Sequence, residues 1–238
     1  MGVLPELHRL LEPGVCGFAT AIPAAAAELL AAEREAARPF NEPRMAEFAA
    51  GRHCAHRALT QLGVRDVAVP ARPDRSPLWP PDIIGSISHS RTCAVAIAAR
   101  ATDHLLSLGV DVEETEAIED ELAELIGSPP EYALMLGPGQ VQPELACRLL
   151  FSLKEAAFKC LYQWSGEFLD FADLRLLAMG SERMFAMARL EKPTGETAQR
   201  VVGRFVAGPE HICCTAALHR NGLRGDSQGN SLSSRNSP

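Results

Sequence analysis

The chain passes twice through the same order of elements, helical stretches followed by strands, and this order confines it to an α+β fold of two similar halves. In the first pass, residues 24–38 are rich in Ala and Glu and read as a helix that Pro39 and Pro43 end. Arg44 to Leu62 reads as a second helix, with Met45, Phe48, Ala55, Leu59 and Leu62 near helical spacing and Gly63 where helix ends favour glycine. A short strand over Val64 to Val69 follows, then a rigid Pro-rich connection to Pro81 and a hairpin built from Ile83–His89 and Ala94–Ala99. Met1 to Pro23 shows no regular period.

The second pass starts with a strand over Leu105 to Val112 and an acidic helix over Thr115 to Ile126. Gly127 to Pro143, dense in Pro and Gly, reads as irregular, and Glu144 to Trp164 reads as a long helix with Leu145, Leu149, Leu153, Ala156, Phe158 and Leu161 turned inward. Strands over 174–178, 184–190, 200–206 and 211–218 complete it. The expected organisation is an N-terminal half over 1–105, a C-terminal half over 106–220 and a disordered Ser-, Gly- and Asn-rich tail over 221–238.

A formal charge of −7 argues against general attraction to nucleic acid or anionic membrane, so an anionic ligand needs a local cluster of Arg and Lys. The 7 cysteines include no C-x-x-C pair and read as small buried hydrophobes. No basic leader with an apolar run and no bilayer-length apolar stretch is present, which makes the cytoplasm the expected compartment.

Chemistry concentrates in two stretches. In Leu108-Gly109-Val110-Asp111-Val112-Glu113 the strand period turns Asp111 and Glu113 to one face. In Phe151-Ser152-Leu153-Lys154-Glu155-Ala156-Ala157-Phe158-Lys159 the helical period makes Glu155 and Lys159 neighbours, with Lys154 on an adjacent flank. Three carboxylates beside several cations suit Mg²⁺, which takes one or two carboxylates and leaves the rest of its shell to water and substrate phosphates. Each piece alone is more often structural than catalytic, Asp-x-Glu as a solvated strand face and Lys-Glu as a common helix surface.

Read in order, Gly51-Arg52, Pro77-Leu78-Trp79-Pro80, Gly85-Ser86-Ile87-Ser88-His89, Gly109-Val110-Asp111-Val112-Glu113 and Ser152 to Lys159 together resemble the 4′-phosphopantetheinyl transferase superfamily, in its Sfp-type, enterobactin synthetase component D-like branch. The resemblance implies two pseudo-symmetric halves, each a small antiparallel sheet packed with a long helix. It also implies transfer of 4′-phosphopantetheine from coenzyme A to a serine of an apo acyl or peptidyl carrier protein. The ion would be Mg²⁺ or Mn²⁺, and the carrier could serve fatty acid, polyketide, non-ribosomal peptide or siderophore synthesis.

Carried over residue by residue, the resemblance makes Asp111, Glu113 and Glu155 metal ligands and Glu155 the base for the carrier serine. Lys154 and Lys159 would face the phosphates, and Arg44, Arg52, Arg75, Ser88 and His89 would bind the coenzyme. His53, His56 and Arg57 are read as solvated, Trp79 as a packing anchor, and Phe168, Leu169 and Phe171 as core. A monomer is implied as well.

Two rivals use the same residues: a Mg²⁺-dependent hydrolase of coenzyme A or a related nucleotide, and a binding module without catalysis. A serine hydrolase is disfavoured because Gly-Ser-Ile-Ser-His lacks the G-x-S-x-G elbow.

Overall fold

A computed structural model describes residues 3–24, 28–116, 120–136, 141–190 and 197–223. The first half consists of β1 (Cys16–Ala21), α1 (Ala31–Ala37), α2 (Glu42–Gln61), β2 (Ile83–His89) and β3 (Cys93–Arg100). The second holds β4 (Leu105–Glu114), α3 (Asp120–Ile126), α4 (Pro129–Met135), α5 (Pro143–Ser165), β5 (Leu174–Met179), β6 (Met184–Leu190), β7 (Thr197–Ala207) and β8 (His211–His219). The strands form two antiparallel sheets, ordered β1-β3-β2 and β4-β8-β7-β6-β5. In each, the first strand in sequence pairs with the last, β1 with β3 and β4 with β8.

The two long helices are delimited by local chemistry. Asn41 caps α2 by accepting the Arg44 N–H at 3.1 Å, Pro43 sits in the first turn, and Gly63 follows the helix with φ +79°. Pro143 opens α5, and Gly166, at φ +70°, ends it by donating its N–H to the Tyr162 carbonyl at 2.8 Å. Leu149, Leu150, Leu153, Ala156, Ala157, Cys160 and Leu161 bury the inner face of α5 against Phe185, Met187, Val201, Ile212 and Cys214 of the five-stranded sheet.

β4 sits between the halves. Leu108, Val110 and Val112 join Val95, Ile97 and Cys213 in one buried cluster, while the alternate residues Gly109, Asp111 and Glu113 turn to α5. A Cβ on Gly109 would lie 1.9 Å from the Ala156 carbonyl oxygen, so only glycine lets the helix backbone come this close to the strand. On the first half, Gly85 has the same role for Trp79, whose ring would meet a Cβ at 2.7 Å. Trp79 thus anchors the Pro-rich loop to β2.

Several expectations need correcting. The first helix is shorter than 24–38, running from Ala31 to Ala37, with residues 25–27 outside the described set. The N-terminal region is not irregular throughout, since β1 adds an edge to the first sheet. Residues 64–69 form no strand, because the chain there is held by side chains: Val69 N–H donates to the buried carboxylate of Glu33 at 2.7 Å. The 127–143 segment contains α4, and its residues 137–140 are not described. Of the acidic helix expected from Thr115, Asp120–Ile126 is helical, Thr115 and Glu116 are not, and 117–119 lie outside the described residues. Of the expected tail, Asn221–Leu223 close a 3₁₀ turn from Arg220 and 224–238 lie outside the described residues. Among the described residues no helix is long and apolar enough to cross a membrane.

The basic face of α2 is only partly covered: Arg57 stays exposed as expected, while His53 and His56 are half-buried. Phe18 lies edge-on to His53 at 5.7 Å and under the Arg57 guanidinium at 4.7 Å. His56 shares a hydrogen bond of 2.8 Å with Glu33, which is fully buried.

Candidate active site

β4 and α5 bring the acids together with cations from both halves. Lys159 Nζ donates to Asp111 Oδ1 at 2.6 Å and to Ser88 Oγ at 3.0 Å, and Ser88 Oγ donates to Asp111 Oδ1 at 2.9 Å. Asp111 is buried, and its second oxygen, Oδ2, has no hydrogen-bond partner among the described residues. A buried carboxylate oxygen left without a donor costs free energy unless something supplies positive charge to it.

Glu113 accepts from Arg148 Nη1 at 3.0 Å, and Arg148 Nε also donates to the Glu116 carbonyl at 2.9 Å. Burial, and then the neighbouring Asp111, push the Glu113 carboxyl up to about 7, against the pull of Arg148 and Lys159. Burial likewise raises the Glu155 carboxyl, with Lys159 opposing and Asp111 adding to the rise.

Lys154 does not reach this site. It is only 2% exposed, and its Nζ lies 3.1 Å from Glu131 Oε1 of α4 and 3.0 Å from the Phe171 carbonyl, on the far side of α5. The reason is helical geometry: adjacent residues lie about 100° apart, so Lys154 and Glu155 cannot share a face. Glu131 also accepts the N–H groups of Leu176 and Ser128, both at 2.9 Å. Lys154 therefore ties α5 to α4 and β5, and its expected contact with phosphate is withdrawn.

The residues expected at the coenzyme divide. Arg44 Nη1 donates to His89 Nε2 at 2.6 Å and to Glu47 Oε2 at 3.0 Å, making one cluster of α2 and the end of β2. Burial holds the His89 imidazole below its usual range, Glu47 pulling upward and Arg44 downward; a guanidinium can only donate, so His89 Nε2 is the acceptor in their contact. Ser88 lies with the acids. Arg52, by contrast, is drawn inward: its Nε donates to the Val69 carbonyl at 2.5 Å and its guanidinium lies 4.1 Å from the Phe48 ring centroid. Packing against that ring covers it, and it is not presented openly to a ligand. Arg75 is exposed on the Pro-rich loop with φ +71°.

Between the halves runs a cleft of about 700 Å³, which Arg75 and Trp79 line from the first half and Phe158, Lys159, Tyr162 and Phe168 from the second. Tyr162 donates its hydroxyl to Asp74 Oδ2 at 2.7 Å across the mouth. Gln163 closes the floor, its amide donating to the Gly85 carbonyl at 2.8 Å and accepting the Leu108 N–H at 3.2 Å. Phe168, expected in the core, is 77% exposed at the cleft edge, while Leu169 is buried as expected.

Sequence reasoning missed Arg148, Gln163, Tyr162 and Asp74. Arg148 had a signal, since it precedes Glu155 by seven residues and so shares its helix face. The others depend on how the halves meet, which no local pattern states.

The donor set fits a hard divalent cation in one particular way. Asp111, Glu113 and Glu155 offer carboxylate oxygens, and Asp111 Oδ2 is buried without a partner. Among the described residues no three His, Cys, Asp or Glu side chains are gathered into a ready cage. Mg²⁺ takes one or two carboxylates and completes its shell with water and substrate phosphates, so the open Oδ2 of Asp111 is the atom at which such an ion would be received.

A cleft between two sheet-and-helix halves, with Lys159 on its wall and that lysine paired with the buried Asp111, is the equipment of an enzyme that handles phosphate esters. Known proteins make the class specific. The 4′-phosphopantetheinyl transferase N-terminal domain matches residues 32–99, and the 4′-phosphopantetheinyl transferase superfamily matches residues 107–216. The chain is 35% identical over 180 residues to 4′-phosphopantetheinyl transferase Svp of Streptomyces mobaraensis, covering 73% of this chain and 71% of Svp. It is 37% identical over 132 residues to enterobactin synthase component D of Escherichia coli, 54% of this chain and 60% of that protein. It is 32% identical over 131 residues to 4′-phosphopantetheinyl transferase PptT of Mycobacterium tuberculosis, 55% of this chain and 56% of PptT. The last two matches thus span somewhat more than half of those relatives. The chain belongs to the 4′-phosphopantetheinyl transferase superfamily and is a transferase of that class.

Proposed function

We propose that the protein transfers 4′-phosphopantetheine from coenzyme A to a serine of an apo acyl or peptidyl carrier protein, releasing 3′,5′-ADP. The observation that carries the site reading is the buried Oδ2 of Asp111, without a hydrogen-bond partner among the described residues, beside Lys159, which lines the cleft. Arg44 and His89 bind phosphate groups of the nucleotide, and Arg75 meets it from the loop. The apolar wall of Trp79, Phe158, Tyr162 and Phe168 receives the pantetheine arm.

In the reaction the serine oxygen bonds to the phosphorus that carries the pantetheine, and the bond from that phosphorus to the bridging diphosphate oxygen breaks. Glu155 takes the serine proton, since a serine hydroxyl is a poor nucleophile until a base accepts that proton. Lys159 meets the charge that gathers on the departing 3′,5′-ADP. Asp111, Glu113 and Glu155 would hold Mg²⁺ or Mn²⁺, which when bound supplies Lewis-acid charge to the diphosphate.

The cleft is assembled within one chain, which supports action as a monomer, and all 7 cysteines are free, which supports a reducing, cytoplasmic setting. Nucleotide analysis tests the reaction: 3′,5′-ADP should form from coenzyme A only when an apo carrier is present. Free phosphopantetheine released without any carrier would identify a hydrolase instead.

A further inference from the structure

Arg148 lies seven residues before Glu155 on α5, two helical turns less about 20°, so the two share a face. Its side chain is 20% exposed and engages Glu113 at 3.0 Å, just as Lys159 engages Asp111 at 2.6 Å. The two cations are eleven residues apart, about 16.5 Å of helix rise, whereas Asp111 and Glu113 are two residues apart on β4, about 6.7 Å. Arg148 and Lys159 therefore reach into the acid row from opposite ends. Each holds one strand carboxylate, in keeping with the lack of a gathered three-ligand group among the described residues.

We propose that Arg148 is a positioning residue, the resident counter-ion of Glu113, which keeps the acid row from binding a divalent ion well until coenzyme A is present. Three carboxylates against two cations leave at most one net negative charge, a weak attraction for a bare divalent ion. The diphosphate of coenzyme A restores negative charge at the same place, so ion and coenzyme bind each other's complexes more tightly than either binds the free protein. The proposal rests on reading Asp111, Glu113 and Glu155 as the metal-facing acids.

The test is Mn²⁺ binding by the full chain without carrier protein, followed by the electron paramagnetic resonance of free Mn²⁺, with and without coenzyme A. Removing one positive charge from beside the acid row, in a solvent-like dielectric, is worth about tenfold in affinity for a divalent ion. Arg148→Met should therefore bind Mn²⁺ about tenfold more tightly than the wild type without coenzyme A and gain less when coenzyme A is added. Arg148→Lys should keep the weak wild-type affinity, and a thermal melt verifies that both variants are folded. Mn²⁺ affinity in Arg148→Met equal to or below that of the wild type overturns the proposal while the metal site stands, provided Asp111→Asn loses Mn²⁺ binding. If Asp111→Asn binds Mn²⁺ like the wild type, the metal reading itself is wrong and the proposal falls with it.

Discussion

Lys159 Nζ of α5 lies 2.6 Å from Asp111 Oδ1 of β4, and Ser88 Oγ of β2 completes the triangle at 3.0 and 2.9 Å. Three elements from the two halves thus meet at one charge-assisted contact beside the cleft. The triangle fixes the direction of the Asp111 carboxylate and leaves its Oδ2 buried and available.

Lys154 and Lys159 should fail differently. Lys154→Met leaves the Glu131 carboxylate buried without its cation, which should cost about 3–5 kcal/mol of stability while the folded fraction keeps its KM for coenzyme A. Lys159→Met should lower kcat/KM about 10²- to 10³-fold at temperatures where the variant is folded. Thermal melts paired with steady-state kinetics check both. A Lys154 variant that melts like the wild type but loses turnover would return that lysine to the active site.

Glu155→Gln should reduce turnover about 10²- to 10⁴-fold, the usual worth of a positioned general base. Coenzyme A affinity, measured by calorimetry, should stay near the wild-type value. Unchanged carrier modification would remove Glu155 from the proton-transfer role.

Gly109→Ala should destabilise the protein by about 3 kcal/mol or unfold it, because the new methyl would sit 1.9 Å from the Ala156 carbonyl oxygen, a backbone atom that cannot rotate away. A melting temperature within a few degrees of the wild type would mean that α5 stands farther from β4 than described.

Glu33 links stability to pH. Burial alone would raise its carboxyl, but His56 and the N–H groups of Val69 and Leu30 outweigh burial and hold it below the ordinary 4.5. A depressed carboxyl contributes stability above its unfolded value and loses it as pH falls through the folded value. Wild-type stability should therefore drop steeply below pH 4.5. Glu33→Gln should be less stable than the wild type by about 1–3 kcal/mol at pH 7, with the gap narrowing in acid. Denaturant melts at pH 7 and below pH 4.5 check this, and a gap independent of pH would contradict it.

The site was more legible in the sequence than the frame around it. Strand and helix periods put Asp111 with Glu113 and Glu155 with Lys159, because those relations are local. β1 was illegible because Cys-Gly-Phe-Ala-Thr-Ala carries only one aromatic and one β-branched residue; its pairing with β3 decides its state. α4 was hidden by prolines read as breakers, although Pro129 is the first residue of that helix and Ser128-x-x-Glu131 is a helix-start pattern. Missing α4 also meant missing Glu131, the partner that holds Lys154 on its own flank of α5, so the helical period alone left that lysine free to be read as facing phosphate. The placing of Arg52 followed the same course: its pull inward depends on Phe48 and on the Val69 carbonyl, a contact between segments.

The most direct measurement is the intact mass of several apo carrier proteins after incubation with this protein, coenzyme A and Mg²⁺, beside an EDTA control and an Asp111→Asn control. The account predicts a phosphopantetheine-sized gain on the carrier serine that is abolished by EDTA and by the Asp111 substitution. A gain that persists in EDTA, or consumption of coenzyme A with every carrier left at its apo mass, would contradict it.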